Sequence, residues 1–512
     1  MQVLMLGSIG LPVTSGVVLL AFSLSQRLKA AGRVERTEEE GKLQEGGAWL
    51  YAYVFIALIC SVGFSMAAAW WGNGSVTVFQ LLDTISIYFH VDETGRLFMT
   101  IISIIWLIVG IYSVPYMRRE GGEKRYYAFF LLAYGMLTGF VYAGNLITMY
   151  LFYELITLVS MPLVLHNGTR EAVRAGRKYL FYSLCGAYCG LFGIFFLYRY
   201  CGSMNFTPGG TLEYAMVSGH EDIVLLAVFV MLLGFGVKAG MLPLHAWLPT
   251  AHPVAPSPAS AALSSVIVKA GVIAIIRVIF YVVGREFLQG TWVQYTWMTL
   301  ALLTVFMGSM LAYREQGFKK RLAYSTVSQV SYILFGLSLM TSDALSGALL
   351  HVIAHGFIKC GLFLTAGVFL HYYGYGRVEQ LRGIGKKMPL VLGCFTLFSL
   401  GLIGIPPTLG FLSKWYLAQG ALQSQIPVFS WLGPMILLIS AFLTAGYLLP
   451  VTINGFFPGE ETSDLEHTGQ KDKTAWGMGI SLLLLAVFTL LPGIFPKPLL
   501  QFVSEAATII LK

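Results

Sequence analysis

The chain has 512 residues, of which 56% are hydrophobic and only 11% are charged. A water-soluble domain carries roughly 25% charged residues, so this composition excludes a soluble protein and favours one polytopic domain in a lipid bilayer. The formal net charge of +8 would suit nucleic acid as a partner, but the placement of the basic residues between apolar spans argues against it.

Apolar segments of about 20 residues, the length that crosses a bilayer, recur along the whole chain. They predict an all-α polytopic membrane protein of about fourteen transmembrane helices. The first segment lacks a preceding basic region and a following cleavage site, so we expect a retained helix rather than a signal peptide. In chain order the predicted spans are 4–24, 48–71, 97–116, 127–143, 146–166, 179–199, 222–241, 258–282, 293–313, 322–340, 344–371, 388–415, 428–455 and 475–495.

Lys and Arg residues are concentrated in alternate connections between the predicted spans. Twenty-three of them lie in connections on one side of the membrane and five on the other. Connections rich in Lys and Arg normally face the cytoplasm. We therefore expect a multi-pass protein of an inner or plasma membrane, with both termini outside the cytoplasm. The same bias explains the positive net charge without nucleic acid.

Six ionisable residues fall inside apolar spans, where a charge costs at least roughly 2.5–3.5 kcal/mol. The bases are Lys238, Lys269, Arg277, Lys359 and Lys414, and the acid is Glu154. Snorkelling toward a helix end is an equal alternative for Arg277 and Lys359, but Glu154 has apolar chain on both sides. We expect Glu154 to lie within about 6 Å of Lys238 and to act as a proton switch, because an opposite charge favours the protonated amine.

Prolines interrupt two of the predicted helices. Pro243 follows Lys238 by five residues, and Pro406 and Pro407 precede Lys414. Proline removes a backbone donor, and irregular backbone survives in lipid only where it is buried in protein or lines a wet cavity. Interrupted helices in corresponding halves of the chain predict inverted repeats around a site at the membrane midplane.

Histidines accompany both interrupted regions. For His252, in the proline-rich segment, a packed re-entrant loop is as good an interpretation as proton handling, and for His245 it is the better one. His351, His355 and Lys359 recur every four residues, so they share one face of a helix. Membrane histidines often serve as hydrogen-bonding glue between helices, but three titratable residues in register favour a proton relay.

The sequence contains no motif for a redox cofactor or a metal. Its six cysteines include no CxxC pair, and neither a glycine-rich phosphate loop nor an iron–sulfur spacing occurs. We therefore expect no metal and no cofactor in this chain, with any electron transfer taking place in partner subunits.

Five segments together resemble the antiporter-like family. That family comprises the large membrane subunits of respiratory complex I, the D subunit of Mrp-type sodium/proton antiporters, and their counterparts in membrane-bound hydrogenases. The resemblance covers roughly residues 80–450 of the chain. The matching segments are YELITLVSMPLV, KAGMLPLHAWLPTAHPVAPSPASAALSSVIVKAG, KKRLAYSTVSQVSYILFG, HVIAHGFIKCGLFLTAG and GIPPTLGFLSKWYL.

The resemblance implies two inverted five-helix repeats, each with a broken helix and a half-channel, joined by a polar axis. It implies these ranges: 1–126 for the N-terminal helices, 127–285 and 286–455 for the two repeats, and 456–512 for a cytoplasmic loop and the last helix. By matching positions, Glu154 is the key glutamate and Lys238 its partner. Lys269, His355 and Lys414 match the axis lysine, the helix 11 histidine and the terminal ionisable group, which we expect to line one polar strip.

The resulting hypothesis is a proton-translocating, non-redox subunit of a multisubunit membrane complex of the NADH:quinone oxidoreductase or membrane-bound hydrogenase type. Its partners would be other membrane subunits and a peripheral redox arm, with sodium as an alternative coupled ion. A first alternative is the D subunit of an Mrp-type sodium/proton antiporter without a redox partner. A stand-alone solute transporter would need a substrate-sized midplane pocket, whereas the sequence offers a string of titratable residues.

Overall fold

The computed structural model describes residues 2–31, 47–72, 74–82, 85–459 and 475–512. Most of the expected loop after residue 456 lies outside these ranges. So do five of the basic residues used to predict the orientation, Arg33, Arg36, Lys42, Lys471 and Lys473. The helices are α1 (Gln2–Ala31), α2 (Ala48–Trp71), α3 (Glu93–Glu120), α4 (Glu123–Val141), α5 (Leu146–Val164), α6 (Arg170–Tyr200), α7 (Glu221–Ala239), α8 (Leu248–Val254), α9 (Ser257–Val283), α10 (Trp292–Arg314), α11 (Phe318–Ser338), α12 (Ser342–Tyr373), α13 (Pro389–Ile403), α14 (Leu409–Gln423), α15 (Phe429–Phe456), α16 (Trp476–Ile494) and α17 (Lys497–Ile510). Single helical turns occur at Tyr214–Val217, Arg285–Leu288, Val378–Leu381 and Ile384–Lys387.

The long helices follow the predicted spans in order. In the part of the chain that the structure describes, 11 helices are long and apolar enough to cross a membrane, which confirms the predicted class of helical membrane protein. Helices α4 and α11, with 19 and 21 residues, coincide with predicted spans but are not among those 11. The total of about fourteen spans, and the inverted repeats, stay predictions.

Besides the short helix α8 and single helical turns, two elements lie outside the predicted spans. Strands β1 (Ser75–Leu82) and β2 (Ile85–His90) pair antiparallel, with Ser75 opposite His90. Their β-branched and aromatic residues are typical of strands, a signal that a search for long apolar spans passes over. Helix α17 is the second addition, and it follows the last predicted span.

Side-chain caps fix where several helices begin. Asn145 starts α5, since its side-chain oxygen accepts a hydrogen bond from Thr148 N at 2.7 Å. Its amide nitrogen also donates to Ser86 O at 2.7 Å, which ties the hairpin to that helix. Asp92 starts α3 in the same way, accepting from Gly95 N at 2.8 Å. These bonds satisfy amide groups that the first turn of a helix leaves unpaired.

Glycines end α7 and α13 at the two interrupted regions. Gly240 follows α7 with φ of 78° and Gly404 follows α13 with φ of 92°. This left-handed conformation favours glycine and closes a helix C-terminus. Pro243 lies between α7 and α8, and Pro406 and Pro407 lie between α13 and α14. The chain therefore changes direction next to Lys238 and Lys414, the lysines of these two regions.

Helices α9 and α12 form the centre of the protein. Every residue in the most apolar window of each is buried, as expected for helices that are surrounded on all sides by others. Helix α9 departs from α geometry in two π-helical segments, Leu263–Ile267 and Arg277–Val283. Lys269 lies between them. Such π-helical segments occur frequently at functional sites, and here they flank a buried amine.

Candidate functional site

Lys269 and His355 are in direct contact at the centre of the protein. The Lys269 Nζ and His355 Nδ1 atoms are 2.6 Å apart and hydrogen-bonded, with the donor set by the histidine tautomer. Lys269 Nζ also donates to Ser264 O at 2.9 Å, a carbonyl of the π-helical segment. Lys269 is 3% exposed and His355 is fully buried. Two titratable groups from α9 and α12 therefore share one hydrogen bond in the interior.

The polar strip continues from His355 along α12 to His351. The two imidazole rings have centroids 6.1 Å apart, and His351 Nδ1 is hydrogen-bonded to the Ser413 hydroxyl at 2.8 Å. The ring of His351 stacks on Tyr332 of α11, with centroids 5.4 Å apart. Because Ser413 directly precedes Lys414, these contacts bring α12 to the lysine of the second interrupted region.

Lys414 binds the end of the preceding helix. Its Nζ donates to Leu402 O at 2.6 Å and to Ile403 O at 2.9 Å, the last carbonyls of α13. A helix C-terminus carries partial negative charge, so it stabilises an ammonium group without a carboxylate. The Nζ atom also lies 5.0 Å from the centroid of the Tyr332 ring, which places Lys414 beside the strip. Its side chain is partly exposed in the isolated chain.

Lys359 is held inside the protein rather than extended toward a membrane surface. It is fully buried, and its Nζ donates to Leu322 O at 3.1 Å and to the Ser325 hydroxyl. Both acceptors belong to α11. Snorkelling, the equal alternative at this position, is therefore wrong, because the amine ends in the core one helical turn from His355.

Lys238 and Glu154 are neighbours across the contact between α5 and α7, but they do not form a contact ion pair. Lys238 Nζ donates to Tyr153 O at 3.1 Å and to Thr157 Oγ1 at 2.8 Å, and it lies 3.9 Å from the centroid of the Tyr153 ring. The half-buried Glu154 carboxylate instead accepts from the Tyr150 hydroxyl at 3.1 Å. In this structure the carboxylate and the amine therefore bind uncharged groups, and their expected approach to within about 6 Å stays a prediction.

Asp92 is a site residue that the search for ionisable residues inside spans missed. It forms a bidentate ion pair with Arg277, in which Nη2 donates to Oδ1 at 2.9 Å and Nη1 donates to Oδ2. Arg277 is 2% exposed, and its guanidinium group lies over the rings of Phe206 and Tyr281. Snorkelling, the alternative given for Arg277, is therefore wrong as well. Asp92 compensates an interior base, so Glu154 is not the only acid that does so. Asp92 sits one residue before α3, just outside the apolar stretch.

The charge of Arg277 determines the ionisation of Asp92. Burial by itself would raise the pKa of the Asp92 carboxyl, but the attraction of Arg277, its hydrogen bonds and the Gly95 amide outweigh burial and hold that pKa below its usual range. Asp92 is consequently a stable anion at neutral pH. This pair fastens the start of α3 to the end of α9.

The two histidines of the proline-rich segment lie in different places. His252 of α8 is fully buried and stacks on Phe363 of α12, with centroids 4.7 Å apart. His245 lies in the turn between α7 and α8, is partly exposed, and has Lys178 as its charged neighbour. The structure therefore places His252 against α12 and His245 away from it, on the side of α6.

The four interior lysines differ from lysines in ion pairs, because the acceptors of their hydrogen bonds are uncharged. Among the described residues, no carboxylate oxygen lies within 4.0 Å of any of their Nζ atoms. Carbonyl and hydroxyl oxygens can accept from an ammonium group or from a neutral amine. Either protonation state therefore keeps hydrogen bonds, as a group that binds and releases protons requires. The four are Lys238, Lys269, Lys359 and Lys414.

Substituting Gly404 with alanine is expected to disturb Lys414. At φ of 92° an alanine costs about 1–2 kcal/mol, and its Cβ would lie 2.9 Å from Lys414 Cδ. We expect a lower melting temperature and several-fold slower transport. Gly393→Ala in α13 is the matched control, since a Cβ there meets no atom within 4 Å. Equal behaviour of the two variants in a melting and transport assay would refute the expected effect on Lys414.

Comparison with known proteins identifies two matching families. Residues 143–444 match the family described as NADH:quinone oxidoreductase/Mrp antiporter, TM. Residues 80–130 match the family described as NADH-Ubiquinone oxidoreductase (complex I), chain 5 N-terminus. Together these matches include every residue of the strip and the Asp92–Arg277 pair.

Individual relatives agree with these family matches. The chain is 35% identical over 374 residues to the N subunit of the NADH-quinone oxidoreductase of Desulforudis audaxviator, covering 72% of each chain. It is 29% identical over 427 residues to the D subunit of the Na(+)/H(+) antiporter of Bacillus subtilis, covering 82% of this chain and 83% of that one. The fold resembles a chain of the membrane-bound sulfane sulfur reductase, an archaeal respiratory membrane complex, with a TM-score of 0.83, 22% identity and coverage of 100% and 98%.

Proposed function

Because this chain belongs to the family of NADH:quinone oxidoreductase and Mrp antiporter membrane subunits, we propose that it translocates protons as a non-redox subunit of a multisubunit membrane complex. The observation that carries the proposal is the 2.6 Å hydrogen bond between Lys269 and His355. It joins two titratable groups at the centre of the buried strip, where a purely structural protein would gain by burying apolar side chains instead.

The proposed path runs along Glu154, Lys238, Lys269, His355 and Lys414. Lys238 and Lys269 lie on helices that pack closely, since a Cβ at Gly271 would be 2.7 Å from Ala239 N. From Lys269 the proton passes to His355 through their shared hydrogen bond. His351 and Ser413 continue toward Lys414, and Lys359 and His252 support the path from the other side of His355. His245 lies apart from it.

Glu154 sets when Lys238 holds its proton. While the carboxylate is bound to Tyr150, the Lys238 amine has only neutral acceptors, which favours release to Lys269. When the carboxylate turns toward Lys238, its negative charge favours the protonated amine. Closing of the Glu154–Lys238 pair therefore favours protonation of Lys238, the first amine of the path, and its opening favours release of the proton.

The chain's organisation follows from the same proposal. The interrupted regions beside Lys238 and Lys414 correspond to the broken helices of two inverted repeats, residues 127–285 and 286–455. Residues 1–126 precede the repeats and residues 456–512 follow them. The bias of Lys and Arg places the basic connections in the cytoplasm and both termini outside it.

Partner subunits would supply the energy that drives transport. The relatives named above are subunits of a quinone oxidoreductase and a sodium/proton antiporter, and the similar structure comes from a respiratory membrane complex. We propose membrane partners and a peripheral redox arm for this chain, with an Mrp-type sodium/proton antiporter as the alternative. Co-purified subunits, and proton transport measured with and without sodium, distinguish the two assemblies.

Glu154→Gln is the direct test of proton translocation. Glutamine retains the shape of the side chain but removes the charge that reloads Lys238, and its burial costs less than that of an unpaired carboxylate. Proton uptake into vesicles containing the variant complex should fall on the order of 100-fold. A blue-native gel should show normal assembly.

The control is Glu286→Gln, which changes an exposed glutamate outside the strip and should transport normally. Near-normal uptake in Glu154→Gln would show that this glutamate is structural only, and the switch would be wrong.

A further inference from the structure

A buried lysine outside the proposed path lies at the end of α8. Lys319 is the second residue of α11 and is only 8% exposed. Its Nζ donates to Ala255 O at 2.6 Å and to Pro253 O at 3.5 Å. Glu120 at the end of α3 is its acidic neighbour, yet in the described chain the two form no ion pair within 4.0 Å. Like the path lysines, Lys319 is thus held by carbonyl oxygens.

His252 directly precedes Pro253, one of the residues whose carbonyls bind Lys319, and it packs against Phe363 of α12. Within the described part of the chain, neither of its buried ring nitrogens has a hydrogen-bond partner. A buried polar atom normally has a partner in protein or ordered water. Phe363 covers one face of the ring, which leaves the nitrogens at the ring edge to be served by water. Packing alone would be achieved at lower cost by phenylalanine, since an unsatisfied buried polar atom costs about 1–3 kcal/mol.

Charged groups face His252 from two elements. Lys319 of α11 and Lys359 of α12 both act electrostatically on the ring. Helix α11 links these amines, since Lys359 Nζ binds Leu322 O and the Ser325 hydroxyl, one and two turns beyond Lys319. Lys359 is in turn one helical turn from His355. Lys319, His252 and Lys359 therefore form a series that ends at the strip.

We propose that Lys319 and His252 form a proton-loading station, through which Lys359 exchanges protons with water on the side of the basic connections. This inference rests on the proposed proton translocation and adds the place of uptake. Lys319 belongs to the basic connection between α10 and α11, which the Lys and Arg bias assigns to the cytoplasm. Its position at the end of that connection makes it the first of the three groups in this series that a cytoplasmic proton meets.

The transfer consists of two balanced steps. A protonated Lys319 loses one N–H proton through water to a ring nitrogen of His252, which forms a new N–H bond and becomes an imidazolium. The opposite nitrogen then releases its proton to the neutral amine of Lys359, and the ring is neutral again in the other tautomer. Exchange through water restores the first tautomer, so one positive charge has moved and no other reactant is consumed.

Lys319→Arg tests whether Lys319 transfers protons or only stabilises the structure. A guanidinium group keeps the charge and can still donate to Ala255 O, but it does not release its proton. We expect proton uptake into vesicles containing the whole complex to fall on the order of 100-fold, with normal assembly and melting. Lys320→Arg is the control, because the Lys320 side chain is 41% exposed and is paired with Glu315 at 2.7 Å. Normal transport by Lys319→Arg would overturn the proposal.

Lys319→His provides a second readout if arginine is too large for the buried site. Histidine remains titratable but has a lower pKa than lysine, so transport should return with its optimum moved to lower pH. Glu120, His252 and Lys359 are unchanged in this variant, so they do not cause the shift. An unmoved pH profile contradicts loading at Lys319. Failure of the wild-type complex to transport protons refutes the proposed function itself, whereas normal Lys319→Arg transport beside a blocked Glu154→Gln refutes only the loading station.

Discussion

Asp92→Asn is expected to lower the free energy of unfolding by about 3 kcal/mol, the lower end of the cost of leaving a buried charge unpaired, since Arg277 is 2% exposed and Asp92 is 20% exposed. Asparagine is a good helix N-cap, so the hydrogen bond to Gly95 N is retained. The lost stability therefore measures the ion pair with Arg277. The guanidinium group would remain between Phe206 and Tyr281 with its charge uncompensated. Thermal unfolding of the purified complex measures the effect.

The double variant Asp92→Asn, Arg277→Met is the control for that experiment. It removes the stranded charge and fills its place with an apolar side chain, so it should recover much of the lost stability. If the double variant melts as low as Asp92→Asn, the loss comes from the packing around α3 and not from an unpaired arginine.

The same pair gives stability a defined pH dependence. The pKa of Asp92 is lower in the folded protein than its unfolded value of about 3.9. Its contribution is therefore complete above that unfolded value and is lost as the pH falls through the folded-state pKa. Asp92→Asn should remove this part of the acid destabilisation.

Helices were predictable from the sequence because lipid imposes a length and an apolar composition on each span. The breaks were predictable from Pro243, Pro406 and Pro407, although the residues that end the helices are Gly240 and Gly404. The hairpin was not, because its strands carry no comparable constraint. Helices and their breaks are thus predictable where span length, apolar composition or a proline constrains the chain. A short hairpin has no such constraint and is not predictable in this way.

The contacts of the site required the folded chain. Lys269 and His355 are 86 residues apart in sequence, and no local pattern indicates that their side chains meet. Arg277 was interpreted from its position near a helix end, since its partner Asp92 lies 185 residues away on another element. For Glu154 the sequence predicted a pair with Lys238, whereas the carboxylate accepts a hydrogen bond from Tyr150 in the structure.

Lys269→Met is expected to change transport and stability in opposite directions. Proton uptake should fall on the order of 100-fold or more, since methionine removes the group that exchanges a proton with His355. Melting temperature should stay equal or rise, because an apolar side chain of similar length replaces an amine that costs at least roughly 2.5 kcal/mol when charged at the membrane centre. Vesicle uptake and thermal unfolding of the same preparation measure both.

This divergence is what distinguishes a proton carrier from a structural cross-link. If Lys269 served mainly to join α9 and α12 through His355, methionine would weaken that junction, and loss of transport would follow loss of folded complex. A carrier, in contrast, is retained at a cost to stability, so its removal relieves the cost while transport stops. Lys320→Met, at a partly exposed lysine outside the strip, should change neither quantity. Parallel losses of melting temperature, assembly and uptake in Lys269→Met would therefore rule out Lys269 as the central proton carrier.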